Sequence, residues 1–266
     1  MSIIFTSDYP TKKSIELFAD DLYSFLFPII KGKTNEPFEN FEDFKDLQYK
    51  LNNLLLNNLL LEGSDKNEIV ANYFNKLPQI YADLKLDARL ILESDPAATS
   101  SEEIMMAYPG FFAISIYRLA HFLNILGVKL IPRVMSEFAH RRTGIDIHPD
   151  AEIGKSFFID HGTGVVIGQT AKIGERVKIY QGVTLGALSV DKVFANIKRH
   201  PSIENDVVIY SGATILGGNT VIGNNSIIGG NVWLTESVPS YSLVYHKSET
   251  RIRTKQEVLN IIDFSI

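Results

Sequence analysis

From Gly144 onward an aliphatic residue returns at every sixth position, and this period constrains the fold more than any other feature of the chain. Ile147, Ile153 and Ile159 are six apart, and after a shift of two so are Ile167, Ile173, Ile179 and Leu185. An interruption follows, then Ile203 and Ile209, then, after a shift of one, Leu216, Ile222, Ile228 and Leu234. Gly often follows the aliphatic residue, as at Gly154, Gly168, Gly174 and Gly223. Each hexapeptide reads as a short strand plus a turn, and three of them close one triangular coil of about eighteen residues. The aliphatic residue points into the prism and stacks on its copy one coil later. A sandwich of short strands does not hold a six-residue register over such a length, so a parallel β-helix is expected over residues 143–240.

The first half obeys a different rule. Ile15, Leu17, Phe18, Leu22, Phe25 and Leu26 recur at helical spacing, as do Leu51, Leu54, Leu55, Leu59 and Leu60. The pattern continues from Asn67 to about Glu93, breaks at Tyr108-Pro109-Gly110, and ends near Arg142. An all-helical domain is expected over 1–142, followed by the β-helix and a tail over 241–266, an α+β arrangement overall.

Composition narrows the function. The chain has 266 residues, 45% hydrophobic and 21% charged, with a net charge of -5, which argues against a nucleic-acid partner. Without a single cysteine, a disulfide, a thiol nucleophile or a Cys-ligated zinc is impossible, and a cytoplasmic, reducing compartment is expected. The first residues, MSIIFTSDYPTKK, lack the pattern of a secretory leader. The most apolar stretch, Met105 to Pro132, is interrupted by Arg118, His121, Asn124 and Lys129, so no membrane span is expected.

Candidate chemistry gathers in and around the repeats. His161 sits in Asp160-His161-Gly162-Thr163-Gly164, a Gly-rich turn with an acidic neighbour. Such a histidine suits a general base, but spacing alone fits a structural role equally well. Asp146 lies fifteen residues earlier, close to one coil, which would set it on an adjacent turn of the prism. It suits a carboxylate that orients an imidazole, or one that brackets the start of the β-helix. Arg199 and His200, where the loop from Gly186 to Lys198 rejoins the coil, suit an anion site or a solvated basic rim.

Taken together, Asp146-Ile147-His148-Pro149, Asp160-His161-Gly162-Thr163-Gly164 and Arg199-His200-Pro201 resemble the hexapeptide-repeat serine O-acetyltransferases. Asp95-Pro96-Ala97 and Tyr117-Arg118-Leu119-Ala120-His121 add to the likeness, which runs from about Glu93 to Ser242. The resemblance implies a left-handed β-helix and acetyl transfer from acetyl-CoA, as co-substrate, to the hydroxyl of L-serine, with no resident metal. It implies His161 as base and Asp146 as its partner, with Asp95, Asp160, Arg199 and His200 holding serine. It implies that Gly186, Ala187, Ser211, Gly229 and Gly230 contact the pantetheine arm in a groove between adjacent copies of a homotrimer or dimer of trimers. It also implies that the terminal Ile266 can anchor cysteine synthase; on the residues alone a frayed tail fits as well. Phe112, and Ala187-Leu188-Ser189 after Leu185, depart from the family pattern. Two rivals share the fold: an acetyltransferase for another hydroxyl acceptor, and a zinc enzyme using His148, His161 and His200. A third reading is a scaffold whose role is to bind cysteine synthase.

Overall fold

The computed structural model describes residues 9–34, 36–56, 61, 65–188 and 197–247. Residues 189–196 of the loop and the tail with Ile266 lie outside them.

Six α-helices come first: α1 (Lys12–Leu26), α2 (Phe41–Leu54), α3 (Lys66–Ser94), α4 (Ser101–Ala107), α5 (Pro109–Ile125) and α6 (Ile131–Thr143). Side-chain caps start four of them: Thr11 accepts from Ser14 N–H, Asn40 from Asp43, Asp65 from Asn67 and Ser100 from Glu103. Proline decides two boundaries that matter later. Pro96 follows Asp95, which caps the C-terminus of α3 in an extended conformation (φ -99°, ψ 111°). Pro109 likewise keeps Tyr108 extended between α4 and α5 (φ -82°, ψ 114°). Ile15, Phe18, Leu22, Phe25, Leu26, Leu51, Leu54 and Leu55 are buried as expected. Leu17 is not; it is 54% exposed on the outer face of α1. No described helix is long and apolar enough to cross a membrane.

Gly144, in the left-handed region at φ 73°, ends α6, and the β-helix begins. Its short strands form three parallel sheets, ordered β1-β4-β7-β10-β13, β11-β8-β5-β2 and β14-β12-β9-β6-β3. The first sheet holds β1 (Asp146–Ile147), β4 (Val166–Ile167), β7 (Thr184–Gly186), β10 (Thr214–Leu216) and β13 (Trp233–Leu234). The second holds β2 (Glu152–Ile153), β5 (Lys172–Ile173), β8 (Ser202–Ile203) and β11 (Val221–Ile222). The third holds β3 (Phe158–Asp160), β6 (Lys178–Tyr180), β9 (Val208–Ile209), β12 (Ile227–Ile228) and β14 (Leu243–Val244). This is a left-handed parallel β-helix capped by a helical domain. The stacks inside are Ile147-Ile167-Leu185-Ile215, Ile153-Ile173-Ile203-Ile222 and Ile159-Ile179-Ile209-Ile228.

Two details of the register differ from the sequence reading. The inward residue of β10 is Ile215, fully buried, rather than Leu216, which is half-buried against the outside. The shift of one is absorbed after β10, where Gly217 takes φ 105°. Secondly, Asp146 and His161 are not on adjacent turns. Asp146 opens the first coil and the turn with His161 closes it, because β1 pairs with β4 immediately beyond that turn.

A buried ion pair ties the helices to the first coil. Arg118 binds Asp87 through two nitrogens, Nε–Oδ2 2.6 Å and Nη2–Oδ1 2.8 Å. Arg118 also donates to Gly154 O (2.8 Å), and Asp87 accepts the Phe157 N–H (2.7 Å). Every polar edge of the pair thus meets backbone or partner, the condition under which burying two charges is tolerable.

Candidate active site

His161 exists because of an insertion. Asp160 pairs with Tyr180 of the next coil, and Gly164 stacks on Gly182. The dipeptide His161-Gly162 has no counterpart, and it is the shift of two in the hexapeptide period. His161 takes φ 55°, a conformation that costs a non-glycine residue about 1 kcal/mol. Gly162 (φ 84°) is required next to it, since a Cβ there would lie 2.4 Å from Cδ1 of Ile145. The bulge turns the imidazole outward, where its side chain is 71% exposed. Its Nδ1 lies 3.6 Å from Oδ1 of Asp160.

A second carboxylate faces the same turn. Asp95 accepts from Ala97 N–H (2.9 Å) and from the Tyr108 hydroxyl (2.7 Å). These two bonds, the backbone one first, hold its carboxyl below the usual carboxylate range, and the charge of His161 adds to the effect. Tyr108 is pushed up to about 12, by desolvation first, then by its bond to Asp95 and the charges of Asp95, Glu103 and Asp160. Tyr180, stacked on Tyr210 (centroids 5.0 Å apart), is also raised, by desolvation and then by Asp160. Asp95, Asp160 and His161 therefore share one corner of the prism, walled by Tyr108 and Tyr180. Two carboxylates and no fixed cation among them suit a substrate ammonium.

Arg199 and His200 lie elsewhere, at the corner between the first and second sheets. There they line a cavity of about 330 Å³ with Arg133, Asp146, His148, Gln169 and Gly168. His200 is buried, against Gly168, where a Cβ would come within 2.1 Å of Nε2. Arg199 donates to Gln169 Oε1 (2.5 Å). The two candidate corners flank the first sheet from opposite edges.

Asp146 stands between them. Its N–H donates to Val165 O (2.9 Å), beside the His161 turn. Its carboxylate lies within 4.8 Å of the ligating atoms of Glu137 and His140. The histidines weighed as zinc ligands, His148, His161 and His200, are split between the two corners of the single chain. Sequence reasoning passed over Tyr108 as a local break and gave Tyr180, Gln169 and Thr170 no signal.

No family model matches the chain. A plasmid-encoded serine acetyltransferase of Synechococcus elongatus is 49% identical over 193 residues, 71% of this chain and 59% of that protein. The serine acetyltransferase of Helicobacter pylori is 47% identical over 131 residues, 49% of this chain and 74% of that protein. Among solved structures, serine acetyltransferase isoform 3 of Entamoeba histolytica in complex with cysteine superimposes with a TM-score of 0.78 at 36% identity, covering 96% of this chain and 90% of that one. This chain belongs to the serine acetyltransferase family. The Neisseria gonorrhoeae serine acetyltransferase in complex with serine is more distant, at 27% identity and a TM-score of 0.63, covering 91% of this chain and 97% of that one. The matched stretch spans 59%, 53% and 49% of the length of three curated serine acetyltransferases.

Within a serine acetyltransferase frame, the remaining residues also divide between the two corners. Gly186 ends β7 and Ala187 follows it, on the Arg199 side. Ser211, Gly229 and Gly230 turn from the third sheet back to the first, on the His161 side and further along the prism. Asn231 N–H donates to Ser211 O there (2.9 Å), and a Cβ on Gly230 would lie 3.2 Å from the same oxygen.

Proposed function

We propose that this chain is a serine O-acetyltransferase, moving the acetyl group of acetyl-CoA to the L-serine hydroxyl, the first step of cysteine biosynthesis from serine. One observation carries the reading: two carboxylates flank an outward imidazole at one corner, and an arginine with a buried histidine occupies the other. A zwitterionic amino acid needs both kinds of partner, its ammonium facing Asp95 and Asp160 and its carboxylate facing Arg199 and His200. Because the corners lie on opposite edges of one sheet, a neighbouring copy supplies the second, which supports a homotrimer or a dimer of trimers. The residues expected to meet the pantetheine arm of acetyl-CoA follow the same division, Gly186 and Ala187 on one copy facing Ser211, Gly229 and Gly230 on the next.

A serine hydroxyl is a poor nucleophile at neutral pH. His161, with Asp146 as its carboxylate partner, takes its proton as the oxygen attacks the thioester carbonyl. The C–O bond forms, the tetrahedral oxyanion collapses, the C–S bond breaks, and His161 returns the proton to the departing thiolate. With no cysteine in the chain and no serine in a nucleophile-elbow motif, we take transfer to be direct, in a ternary complex. The step needs no metal. The cysteine-free composition supports a cytoplasmic setting. Binding of cysteine synthase through Ile266 remains part of this reading and concerns residues outside those described.

CoA release measured with L-serine and with a panel of sugar, antibiotic and amino-alcohol acceptors tests the assignment. A kcat/KM for L-serine far above that for any other acceptor, with amino alcohols turned over only slowly, is the expected result. A comparable kcat/KM on a non-amino-acid acceptor would overturn it.

A further inference from the structure

The corner that holds Arg199 and His200 contains a second histidine whose tautomer is fixed by the same device. His148 Nδ1 accepts the backbone N–H of Asp150 (3.1 Å). His200 Nδ1 accepts the backbone N–H of Thr170 (3.1 Å) and lies 2.9 Å from its hydroxyl. That hydroxyl already accepts the N–H groups of Arg199 (2.9 Å) and His200 (3.1 Å), so its own proton points at Nδ1. An amide N–H can only donate. In both rings Nδ1 therefore carries the lone pair, and the one ring proton sits on Nε2. Burial, then nearby cations, push both histidines down, His200 to about 4, so both stay neutral near pH 7.

Asp150 links the two halves of the recess. Its N–H orients His148, while its carboxylate accepts from Gln169 Nε2 (2.6 Å) and from Asn124. Gln169 in turn holds Arg199 through its carbonyl oxygen. One backbone amide and one side-chain relay thus aim an imidazole and a guanidinium from the same residue. Arg133 and Asp146 also line the cavity, with Arg133 ion-paired to Glu137 (2.5 Å). The recess offers the Arg199 guanidinium and two neutral N–H donors, a set that suits a carboxylate.

We propose that His148 is a third donor in this recess, giving its Nε2–H to the α-carboxylate of the acceptor amino acid beside Arg199 and His200. The proposal rests on the serine reading above. His148 also holds the Asp150 turn, so the test separates the two roles. His148→Asn keeps an acceptor for the Asp150 N–H but has nothing at the position of Nε2. His148→Gln keeps a donor at that reach. In the full-length chain, His148→Asn should lower kcat/KM for L-serine roughly tenfold to a hundredfold, the effect of one hydrogen bond to a charged group, mainly through KM. His148→Gln should recover part of that loss. Ethanolamine, which lacks the carboxylate, should be acetylated equally by wild type and His148→Asn. If ethanolamine turnover falls below detection in both, the KM-against-kcat split on serine decides alone. Wild-type kinetics in His148→Asn, or an equal loss on both acceptors, would overturn the role of His148 while leaving serine acetylation intact. A wild-type chain that fails to acetylate serine at all would overturn the reading beneath it.

Discussion

At the scale of single residues, the proposed catalytic side chain is placed by the backbone that carries it. His161 projects from a two-residue bulge and its ring is largely in solvent. His161→Ala should therefore leave the melting temperature within a degree or two of wild type while kcat falls about 10²–10⁴-fold, the range for removal of a general base. Near-wild-type turnover in that variant would remove His161 from the mechanism. Tyr108 matters through Asp95. Its hydrogen bond helps depress the Asp95 pKa, so the carboxylate stays charged further into acid than an ordinary one. A depressed carboxylate loses its charge only as pH falls through the lowered value. Tyr108→Phe should raise that value, so the acid-side rise in serine KM should begin at a higher pH than in wild type. Identical pH profiles would show that Tyr108 merely packs. Tyr108 was not legible as functional, since an X-Pro-Gly triplet announces a turn whatever precedes the proline. His161 was legible as a candidate, and no periodicity distinguishes a bulge that serves chemistry from one that does not.

At the scale of elements, the register was readable and its defects were the informative part. The shift of two between Ile159 and Ile167 is the His161-Gly162 insertion, and the interruption after Leu185 is the loop that delivers Arg199 and His200. The sequence places the shift of one a repeat too early, before β10 rather than after it, because Ile215 and Leu216 are equally apolar and only packing decides which faces inward. Docking of the helical domain is only half legible, since Arg118 stands out as a charge in an apolar stretch but nothing in the sequence pairs it with Asp87. That pair should be worth preserving as a unit. Arg118→Leu leaves Asp87 and the Phe157 N–H bond without a counter-charge and should destabilise the fold by about 3–5 kcal/mol. Urea unfolding would read it as a lower midpoint, and an unchanged midpoint would mean that the helices are held by packing alone. Gly110 makes a sharper case, because a Cβ there would lie 2.1 Å from the Ile159 carbonyl oxygen. Gly110→Ala should push α5 away from β3, the strand that leads into the His161 turn.

At the scale of the whole molecule, one chain carries its candidate residues at two separate corners of the prism. Linear spacing relates Asp146 to His161 alone, and only the family resemblance joins Arg199 and His200 to them, since sequence distance carries no information about which edge of a prism a turn occupies. The fold separates them. His161, with Asp95 and Asp160, lies on one edge of the first sheet, and Arg199 with His200 lies on the other. If neighbouring copies close the site, each interface needs an intact His161 from one chain and an intact Arg199 from the next. Two inactive variants should then rescue each other. His161→Ala and Arg199→Ala, each nearly inactive as a homo-oligomer, should regain activity when co-expressed or unfolded and refolded together. With random association of equal amounts, roughly one interface in four pairs the two intact halves. Recovery should therefore approach a quarter of wild-type turnover, with the KM for serine unchanged, because the rebuilt sites are complete. Mixing the two folded proteins without exchange of subunits should give none of this. A site contained within one chain predicts no rescue under either protocol, since every chain in the mixture then carries one broken half of its own site.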